Sequence, residues 1–536
     1  MMKSRFHLIN LGLYPETLPP CFVSKDAKRA FTGLVSHLDS QKFFERKSDF
    51  SRYNGTKHDG SRRYFGTPNI VSYFHTSSFI WKNWKLFDRK YKKSSYSIST
   101  PSLMEEFEDR AVRVPSLSEL SKKTSENIRY APFILKADIA QCFHSIYTHS
   151  ISWAAHGVDA SKDDTNANSA KNLFNALDFH VRNGQRGNTR GVLVGPDAFR
   201  LIAEFVLANL DQEIERRVGD KIVGAVRHVD DYYIGLQTEH DAQSVLSTLR
   251  EILSSYELNV NDSKTRIISS LDPINDLWAQ RVRDHTSLLY GYSSHEKIER
   301  SISEVISTAR ETKSDSAIKM LFRAFDEKKL YATEHWGYIE KNIQRIIQKH
   351  PHSVDYACLL VAKRFARGGY VDKEGWLAVA SIIIRQGLAF DHHHEVLWML
   401  WLMMVCKIEV PGEMIEEVAK SKNAHVRSFL IKANSDGRLR RKPKLSLGSG
   451  LSSVDSNWLT NLVARSEGYS KASFSGMYSE HFTHLAEKNI RLIDFEPHMQ
   501  KIAERKSRAI SRTRYGYDDD RTNDFDFGED FDHDGE

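Results

Sequence analysis

The segment that most constrains the fold is residues 226–236, VRHVDDYYIGL, in which two adjacent aspartates separate two runs of β-branched and aromatic residues. Runs of this composition predict strands, and aspartate is common in turns because its side chain can hydrogen-bond its own backbone. The segment by itself therefore favours a β-hairpin. The alternative is a metal site, since two neighbouring carboxylates repel each other unless a cation lies beside them.

A third carboxylate strengthens the metal-site interpretation. Asp138 ends the apolar run in PFILKADIAQCF, and on its own it is typical of a helix cap. Together with Asp230 and Asp231, it places three acids at strand ends of one predicted sheet. Such a cluster can hold two Mg²⁺ ions about 4 Å apart, which bind the attacking and leaving oxygens of a phosphoryl transfer. The hairpin and the metal site are then the same structure, with Mg²⁺ as the expected ion and Mn²⁺ as the alternative.

The hydrophobic pattern predicts two different halves. Up to about residue 300, short strand-like runs alternate with amphipathic helices, which predicts an α+β fold with helices packed on one antiparallel sheet. From residue 297 to 440 one helical segment follows another. The most apolar run, VLWMLWLMMVC at 396–406, is too short to span a bilayer and is predicted to be a buried helix. Successive short helices of this kind can stack as an α-solenoid.

A glycine-containing loop lies between the two acidic strands. In GNTRGVLVGPDAF, Gly191, Gly195 and Pro196 precede a helix predicted over residues 198–218. Glycine lets the backbone approach a ligand closely, and the N-terminus of a helix favours an anion. The loop could therefore bind a ligand, although loops of this kind without ligands are common.

Composition narrows the range of partners. The formal charge is only +6, but residues 41–95 hold 13 Lys/Arg and 4 Asp/Glu among many aromatic residues. Cations and stackable rings favour single-stranded nucleic acid, and a solvated basic face over an ordinary core is the alternative. The four cysteines include no close pair, which predicts neither a disulfide framework nor a zinc site. Without a secretory or membrane-spanning segment, we expect a cytoplasmic protein with no membrane partner.

Taken in order, the acidic strands and the glycine loop resemble the palm of a reverse transcriptase. ADIAQCFHSI resembles the first catalytic block of that family, TRGVLVGP its template and nucleotide block, and HVDD its paired-aspartate block. LNVNDSKTRI is similar to the block whose lysine approaches the triphosphate, and SRRYFGTPNIVSYFHTSSFI to the fingers block. The resemblance covers roughly residues 40–300 and implies a right-hand polymerase palm with fingers.

The resemblance implies a role for each matching residue. Asp138, Asp230 and Asp231 would be the catalytic acids and metal ligands, with the backbone carbonyl of Ile139 as a further ligand. Phe143 would be the sugar gate, whose ring stacks under deoxyribose and collides with a 2′-hydroxyl. The other expected nucleotide contacts are Arg62, Arg63, Arg190, Gly191 and Lys264.

Two positions depart from the family pattern. His228 stands two places before the paired acids, where an aromatic or small residue is usual, and Arg190 stands where glutamine is usual. Neither change removes a metal ligand, so we expect catalysis to survive. Both positions lie where template and nucleotide would be held, which weakens the expectation of ordinary processive copying. Arg190 could hold a phosphate or a base edge, or it could be a plain surface cation.

The helical second half is similar to that of bacterial defence-associated reverse transcriptases of the abortive-infection type. This resemblance implies a HEAT-like helical-repeat domain behind the polymerase. The expected domains are an N-terminal extension (1–40), fingers and palm (41–296), helical repeats (297–440), a linker (441–456), a C-terminal helical segment (457–510) and an acidic disordered tail (511–536). The expected partners are dNTPs, an RNA template or structured non-coding RNA, a DNA product, and a second copy of the chain or a partner defence protein.

The predicted function is that of an RNA-directed DNA polymerase acting in anti-phage defence. One alternative is a template-independent or protein-primed polymerase on the same site, with Tyr478, Tyr515 and Tyr517 as candidate priming hydroxyls, although ordinary roles are favoured among 21 tyrosines. A group II intron or retron enzyme is a weaker alternative, because maturase-like and endonuclease-like segments are missing. A non-catalytic nucleic-acid-binding scaffold is the alternative from another class, and the intact acids argue against it. The histidine run at 392–394 predicts a polar helix start rather than a metal site.

Overall fold

The computed structural model describes residues 4–40, 46–105, 110–115, 120–272, 277–287, 289 and 294–496. The predicted acidic tail at 511–536 lies outside these residues, as do Tyr515, Tyr517 and the part of the predicted C-terminal helical segment beyond residue 496.

The first part of the chain surrounds a β-hairpin with short helices. Its elements are α1 (His7–Gly12), α2 (Ala27–Ala30), α3 (Val35–Ser40), β1 (Ser51–Thr56), β2 (Arg62–Thr67), α4 (Ile70–Lys82), α5 (Trp84–Tyr91), β3 (Ser102–Leu103) and β4 (Val112–Arg113). β1 and β2 pair antiparallel, and so do β3 and β4. α4 begins after Asn69, whose side chain accepts the Val71 N–H and so caps the helix.

The central part contains the main sheet. Its elements are α6 (Leu120–Ile128), β5 (Phe133–Asp138), α7 (Cys142–Ser145), α8 (Ser150–His156), α9 (Val158–Asp163), α10 (Asn175–Asn183), α11 (Asp197–Val218), β6 (Ile222–His228), β7 (Asp231–Leu236), α12 (Glu239–Ser255) and β8 (Arg266–Ser269). The strand order is β6-β7-β5-β8, and every neighbouring pair is antiparallel. The predicted α+β arrangement and its strands are therefore confirmed.

Helices cover both faces of this sheet. α6 packs on one face, where Ile128 meets Ile134 and Tyr233 in a small separate core. This close packing depends on the cross-strand pair Gly224 and Gly235, because a Cβ at Gly235 would lie 1.8 Å from Ile128 Cγ2. α12 packs against β5 and β7. The sheet is thus clamped between helices, which gives its strand ends a rigid base.

The second half is helical, as predicted. Its elements are α13 (Leu277–Ser287), α14 (His295–Thr312), α15 (Ser316–Glu327), α16 (Trp336–Ile346), α17 (Val354–Ala366), α18 (Lys373–Ala389), α19 (His393–Val405), α20 (Gly412–Ala419) and α21 (Ala424–Ser435). α15, α17, α19 and α21 pack in succession, and α16, α18 and α20 form a parallel succession beside them. α19 is buried from His394 to Val405, which confirms the predicted buried helix. Nowhere in the described ranges does a helix combine the length and apolar character needed to cross a bilayer.

The last described part folds back onto the first. It contains β9 (Leu451–Ser452), α22 (Trp458–Ser466), β10 (Phe474–Ser475) and α23 (Ser479–Glu487). The Asp494 N–H donates to the Cys21 carbonyl at 2.7 Å, and the Tyr14 hydroxyl donates to the Leu492 carbonyl at 3.1 Å. α19 and α21 also contact β1, and one hydrophobic core runs through both halves. The helical half is therefore packed directly against the β1–β2 hairpin.

Candidate active site

The three predicted acids come together at one end of the main sheet. Asp138 is the last residue of β5 and pairs with Asp231, the first residue of β7, while Asp230 lies in the turn between β6 and β7. One carboxylate oxygen from each acid lies within 4.8 Å of the others. Within the described part of the chain, no other group of three His, Cys, Asp or Glu residues is placed to share a metal ion. The hairpin and the acid cluster are thus one structure.

A tight two-residue turn presents Asp230. The strands pair up to the residues on either side of Val229 and Asp230. Val229 has a φ of +52°, in the left-handed region that a β-branched residue rarely adopts. Its N–H donates to Ser99 Oγ at 2.8 Å, and its carbonyl accepts from Arg227 at 2.8 Å. The Asp230 carbonyl accepts the Ile139 N–H at 3.2 Å, so neighbouring groups hold the whole turn.

The electrostatics of the cluster favour a cation. Burial raises the pKa of Asp230 well above its ordinary value, and the charges of Asp231 and Asp138 raise this pKa further. Lys264 compensates part of the negative charge, since its Nζ lies 3.9 Å from Asp138 Oδ2. A divalent cation would remove the remaining repulsion, and carboxylate oxygens are ligands that suit both Mg²⁺ and Mn²⁺. The residues present therefore fit the predicted metal.

Directly after β5, Ile139 forms an isolated antiparallel β-bridge with Val260, in the segment after α12. The two hydrogen bonds of this bridge run from the Asn261 N–H to the Asp138 carbonyl at 2.8 Å and from the Ala140 N–H to the Asn259 carbonyl at 2.9 Å. The Ile139 carbonyl takes no part in these two bonds. Its role as a metal ligand stays a prediction.

The Phe143 turn and the glycine loop are held against each other. Phe143 lies in α7, half-buried against the core. The Gly191 N–H donates to the Ile146 carbonyl at 2.9 Å. Gly191 has a φ of +85°, and a Cβ there would lie 2.9 Å from the His144 carbonyl oxygen, so the contact requires glycine. Arg190, next to this contact, is exposed. The predicted sugar gate and Arg190 loop therefore share one local structure.

Arg62 forms a buried ion pair with the helical half. Its guanidinium donates to both carboxylate oxygens of Glu395 on α19, at 2.7 and 3.1 Å, and to Asn54 Oδ1 at 2.6 Å. The Arg62 and Glu395 side chains are only 14% and 3% exposed. A nucleotide phosphate could recruit Arg62 only by breaking this buried ion pair. Arg62 therefore joins the β1–β2 hairpin to the helical half in this structure, and its contact with a nucleotide stays a prediction.

Arg63 is the remaining candidate cation of that hairpin. Burial lowers the pKa of the neighbouring His144, a hydrogen bond to the Tyr64 backbone raises it, and the charges of Arg63 and Lys57 lower it. His144 follows Phe143 on α7. β2, which contains Arg63, therefore passes close to the turn that contains Phe143. Contact between Arg63 and a nucleotide stays a prediction.

The start of α11 is in contact with other groups of the protein. The Asp197 carboxylate accepts the Ala111 N–H at 2.9 Å and pairs with Arg110. A Cβ at Gly195 would lie 2.7 Å from the side chain of Pro15. An internal carboxylate and the N-terminal segment thus lie at this helix end, and a ligand at the loop stays a prediction.

Three other features of the sequence are in contact with the rest of the protein: Tyr478, the histidine run at 392–394 and His228. Tyr478 is 1% exposed, so its hydroxyl does not meet solvent or a nucleotide in this conformation. The histidine run begins α19 as predicted, and His394 Nδ1 lies 2.7 Å from the Tyr53 hydroxyl. The His228 ring nitrogen lies 3.2 Å from the Pro115 carbonyl oxygen.

A buried ionic network, not predicted from the sequence, lies beneath the acid cluster. Arg227, three residues before Asp230, is fully buried and pairs with Glu204 and Asp211 on α11. A signal was present in the sequence, because Glu204 and Asp211 are acids seven residues apart in the largely apolar stretch LIAEFVLANLD and so lie on one face of the helix. Nothing in the sequence indicated that Ser99 would join them.

Comparisons with known proteins bear on the central part of the chain. Residues 77–317 match a family model described as "Reverse transcriptase (RNA-dependent DNA polymerase)". The match includes the three acids and begins after the β1–β2 hairpin. A search of curated proteins gave no match.

Solved structures similar to this chain include telomerases from two yeasts. Telomerase from Candida albicans in complex with a TWJ fragment of telomeric RNA is 14% identical, over 70% of this chain and 68% of that chain, with a TM-score of 0.29. The corresponding complex from Candida tropicalis is 12% identical, over 69% and 68%, with a TM-score of 0.31. Apo telomerase from Candida tropicalis is 11% identical, over 73% and 76%, with a TM-score of 0.33.

Proposed function

We propose that Asp138, Asp230 and Asp231 are the catalytic acids of a nucleotidyltransferase of the RNA-directed DNA polymerase class, since residues 77–317 match the reverse transcriptase family model. The observation that carries the proposal is the convergence of these three carboxylates within 4.8 Å at the end of the sheet. The reaction is the addition of a dNTP to a 3′-hydroxyl, with an RNA as template.

The acids would hold two Mg²⁺ ions, with the Ile139 carbonyl as a further ligand and Mn²⁺ as a substitute. When bound, the metal ions would stabilise the negative charge on the attacking and leaving oxygens. The residues of the chain would have separate tasks. The aspartates would provide the negative site, and Lys264, whose Nζ lies 3.9 Å from Asp138 Oδ2, would approach the triphosphate. Phe143 would support the sugar, and Arg63, Arg190 and Gly191 would border the nucleotide and template.

We further propose that the protein acts in bacterial defence against phage, in the cytoplasm. The support is the combination of a polymerase domain with a helical second half packed onto it. The two parallel successions of helices from α15 to α21 agree with a HEAT-like repeat array over residues 297–440. In this proposal residues 41–296 are fingers and palm, and the helical array binds a second copy of the chain or a defence partner.

The test is DNA synthesis by the purified protein with Mg²⁺ and labelled dNTPs, with and without RNase treatment of its bound nucleic acid. Asp230→Asn keeps the side-chain shape and removes one charge, so we expect incorporation to fall at least about 10³-fold. Asp220→Asn, an exposed acid at the other end of β6, is the matched control and should leave the rate unchanged.

The arms of this experiment separate the competing functions. Synthesis that requires RNA and Asp230 supports the proposal. DNA formed by the wild type after complete RNA removal would support template-independent or protein-primed synthesis instead. Undiminished synthesis by Asp230→Asn would contradict the assignment of the active site.

A further inference from the structure

Arg227 connects the buried interior of the sheet to the catalytic turn. Its Nε donates to Asp211 at 2.9 Å, and its Nη2 donates to Asp211 at 2.7 Å and to Glu204 at 2.9 Å. Its Nη1 donates to Glu204 at 3.0 Å and to the Val229 carbonyl at 2.8 Å. All the guanidinium nitrogens are therefore used, and one of these bonds reaches the turn that carries Asp230.

A serine-rich strap, residues 94–99, binds the same network from the edge of β6. The Arg227 N–H donates to the Tyr96 carbonyl at 2.7 Å, and the Ile98 N–H donates to the Arg227 carbonyl at 2.9 Å. Ser97 Oγ donates to Glu204 at 2.7 Å. Ser99, at the end of the strap, accepts the Val229 N–H at 2.8 Å. The strap and Arg227 thus hold the two backbone polar groups of Val229.

The turn needs such support because its backbone is strained. Val229 is β-branched and has a φ of +52°, an unfavourable combination that persists only when neighbours fix it. Asp230 follows directly, so relaxation of Val229 would move its carboxylate away from Asp138 and Asp231. A shift of about 1 Å in a catalytic group can reduce a rate about 10²-fold.

Charge within the network is partly compensated. Arg227 brings one positive charge against the two carboxylates of Glu204 and Asp211, and all three side chains are at most 5% exposed. Burial lowers the pKa of Arg227, but Asp211 and Glu204 outweigh burial and raise it well above its ordinary value. Loss of the guanidinium would leave two unpaired buried carboxylates under an already acidic metal site.

We propose that Ser99 and Arg227 are positioning residues that hold Asp230 in the geometry required to bind the metal ions. This inference rests on the proposed function, because it assigns a task only in relation to the three acids. Both side chains are buried, so they would act through the turn. Ser99 is the sharper probe, since its side chain contacts the turn and its removal leaves the buried charges intact.

The test compares Ser99→Ala with Ser102→Ala, which makes the same chemical change at an exposed position a few residues further along the chain. We measure Mn²⁺ binding to the full-length protein by calorimetry, without nucleotide, beside kcat and KM for dNTP incorporation. For Ser99→Ala we expect Mn²⁺ affinity to fall about tenfold and kcat to fall about ten- to hundredfold, with KM for dNTP nearly unchanged. Ser102→Ala should match the wild type.

Two conservative variants test the positioning role even if loss of the Arg227 side chain would impair folding. Arg227→Lys keeps the charge and loses the forked hydrogen bonds, and Ser99→Thr retains the hydroxyl acceptor. We expect Ser99→Thr to keep most of the Mn²⁺ affinity of the wild type. Arg227→Lys should lose Mn²⁺ affinity, while its thermal unfolding midpoint stays within a few degrees of the wild type.

Each outcome separates this inference from the proposed function. An active wild type whose Mn²⁺ affinity and kcat are unchanged by Ser99→Ala would overturn the positioning role alone. A wild type that neither binds Mn²⁺ nor incorporates dNTPs would instead refute the proposed function. Equal losses in Ser99→Ala and Ser99→Thr would mean that bulk at this position matters rather than the hydrogen bond, which also overturns the inference.

Discussion

At the scale of single residues, Phe143 has the surroundings that a selective contact requires. Its ring is half-buried against the core, and the turn that carries it is fixed by the Gly191 hydrogen bond to Ile146. A fixed ring can exclude a 2′-hydroxyl by collision, whereas a mobile ring would move aside. The selectivity assigned to Phe143 therefore depends on glycine at position 191, where any Cβ would meet the His144 carbonyl.

Phe143→Ala is expected to relax the choice of sugar. Removal of the ring removes the collision with the 2′-hydroxyl, so the ratio of kcat/KM for dNTP to that for NTP should fall at least about tenfold. Single-nucleotide incorporation with each nucleotide measures this ratio. Phe179→Ala, on α10, is a control that should keep the ratio of the wild type. An unchanged ratio in Phe143→Ala would show that another group selects the sugar.

At the scale of secondary-structure elements, the β1–β2 hairpin is attached to α19 by a buried ion pair. Arg62 and Glu395 are separated by 333 positions in the chain, and Asn54 also binds Arg62. This pair ties the hairpin that carries Arg63 to the helical half. This ion pair therefore joins the predicted fingers to the helical array, and it couples their positions.

Glu395→Gln is expected to destabilise this joint. The variant leaves the Arg62 charge buried without its counter-charge, which should lower the free energy of unfolding by about 3–5 kcal/mol. The double variant Arg62→Met with Glu395→Gln removes both charges and should recover much of that loss. Urea unfolding followed by tryptophan fluorescence measures both, and additive losses in the double variant would contradict the coupling.

At the scale of the whole molecule, histidines line the contact between the hairpin and the helical half. His394 contacts Tyr53, His425 contacts Thr67 and His352 contacts the Thr56 carbonyl. Burial lowers the pKa of His394 to about 4 and that of His425 to about 3. Burial likewise lowers the pKa of His352 well below its ordinary value. These rings are neutral in the folded protein at neutral pH.

This contact is therefore expected to weaken in acid. The unfolded chain takes up protons at these histidines near pH 6.5, while the folded protein resists protonation until about pH 4 for His394. Their contribution to stability is complete above about pH 6.5 and is lost as the pH falls from there towards 4. Urea unfolding at pH 7.5, 6 and 5 should show a decrease of a few kcal/mol, which His394→Gln should reduce. A flat profile between pH 7.5 and 5 would contradict this expectation.

The sequence by itself determined the local elements and the identity of the acids. Alternation of apolar residues predicted β5, β6 and β7, and the paired aspartates between two strand-like runs predicted the turn that presents Asp230. The helical second half and the buried α19 followed from helical periodicity and from the length of the apolar run. These features could be predicted because strand, helix and turn preferences are set by residues close together in the chain.

Only the tertiary structure decided which distant residues meet. Arg62 pairs with Glu395, the Asp197 carboxylate accepts the Ala111 N–H, and Ser99 accepts the Val229 N–H in the turn that carries Asp230. Each contact joins residues far apart in the chain, and its partner is chosen by how the helices pack. A buried charge or polar group must find a partner wherever packing places it, and one sequence carries no local signal for that choice.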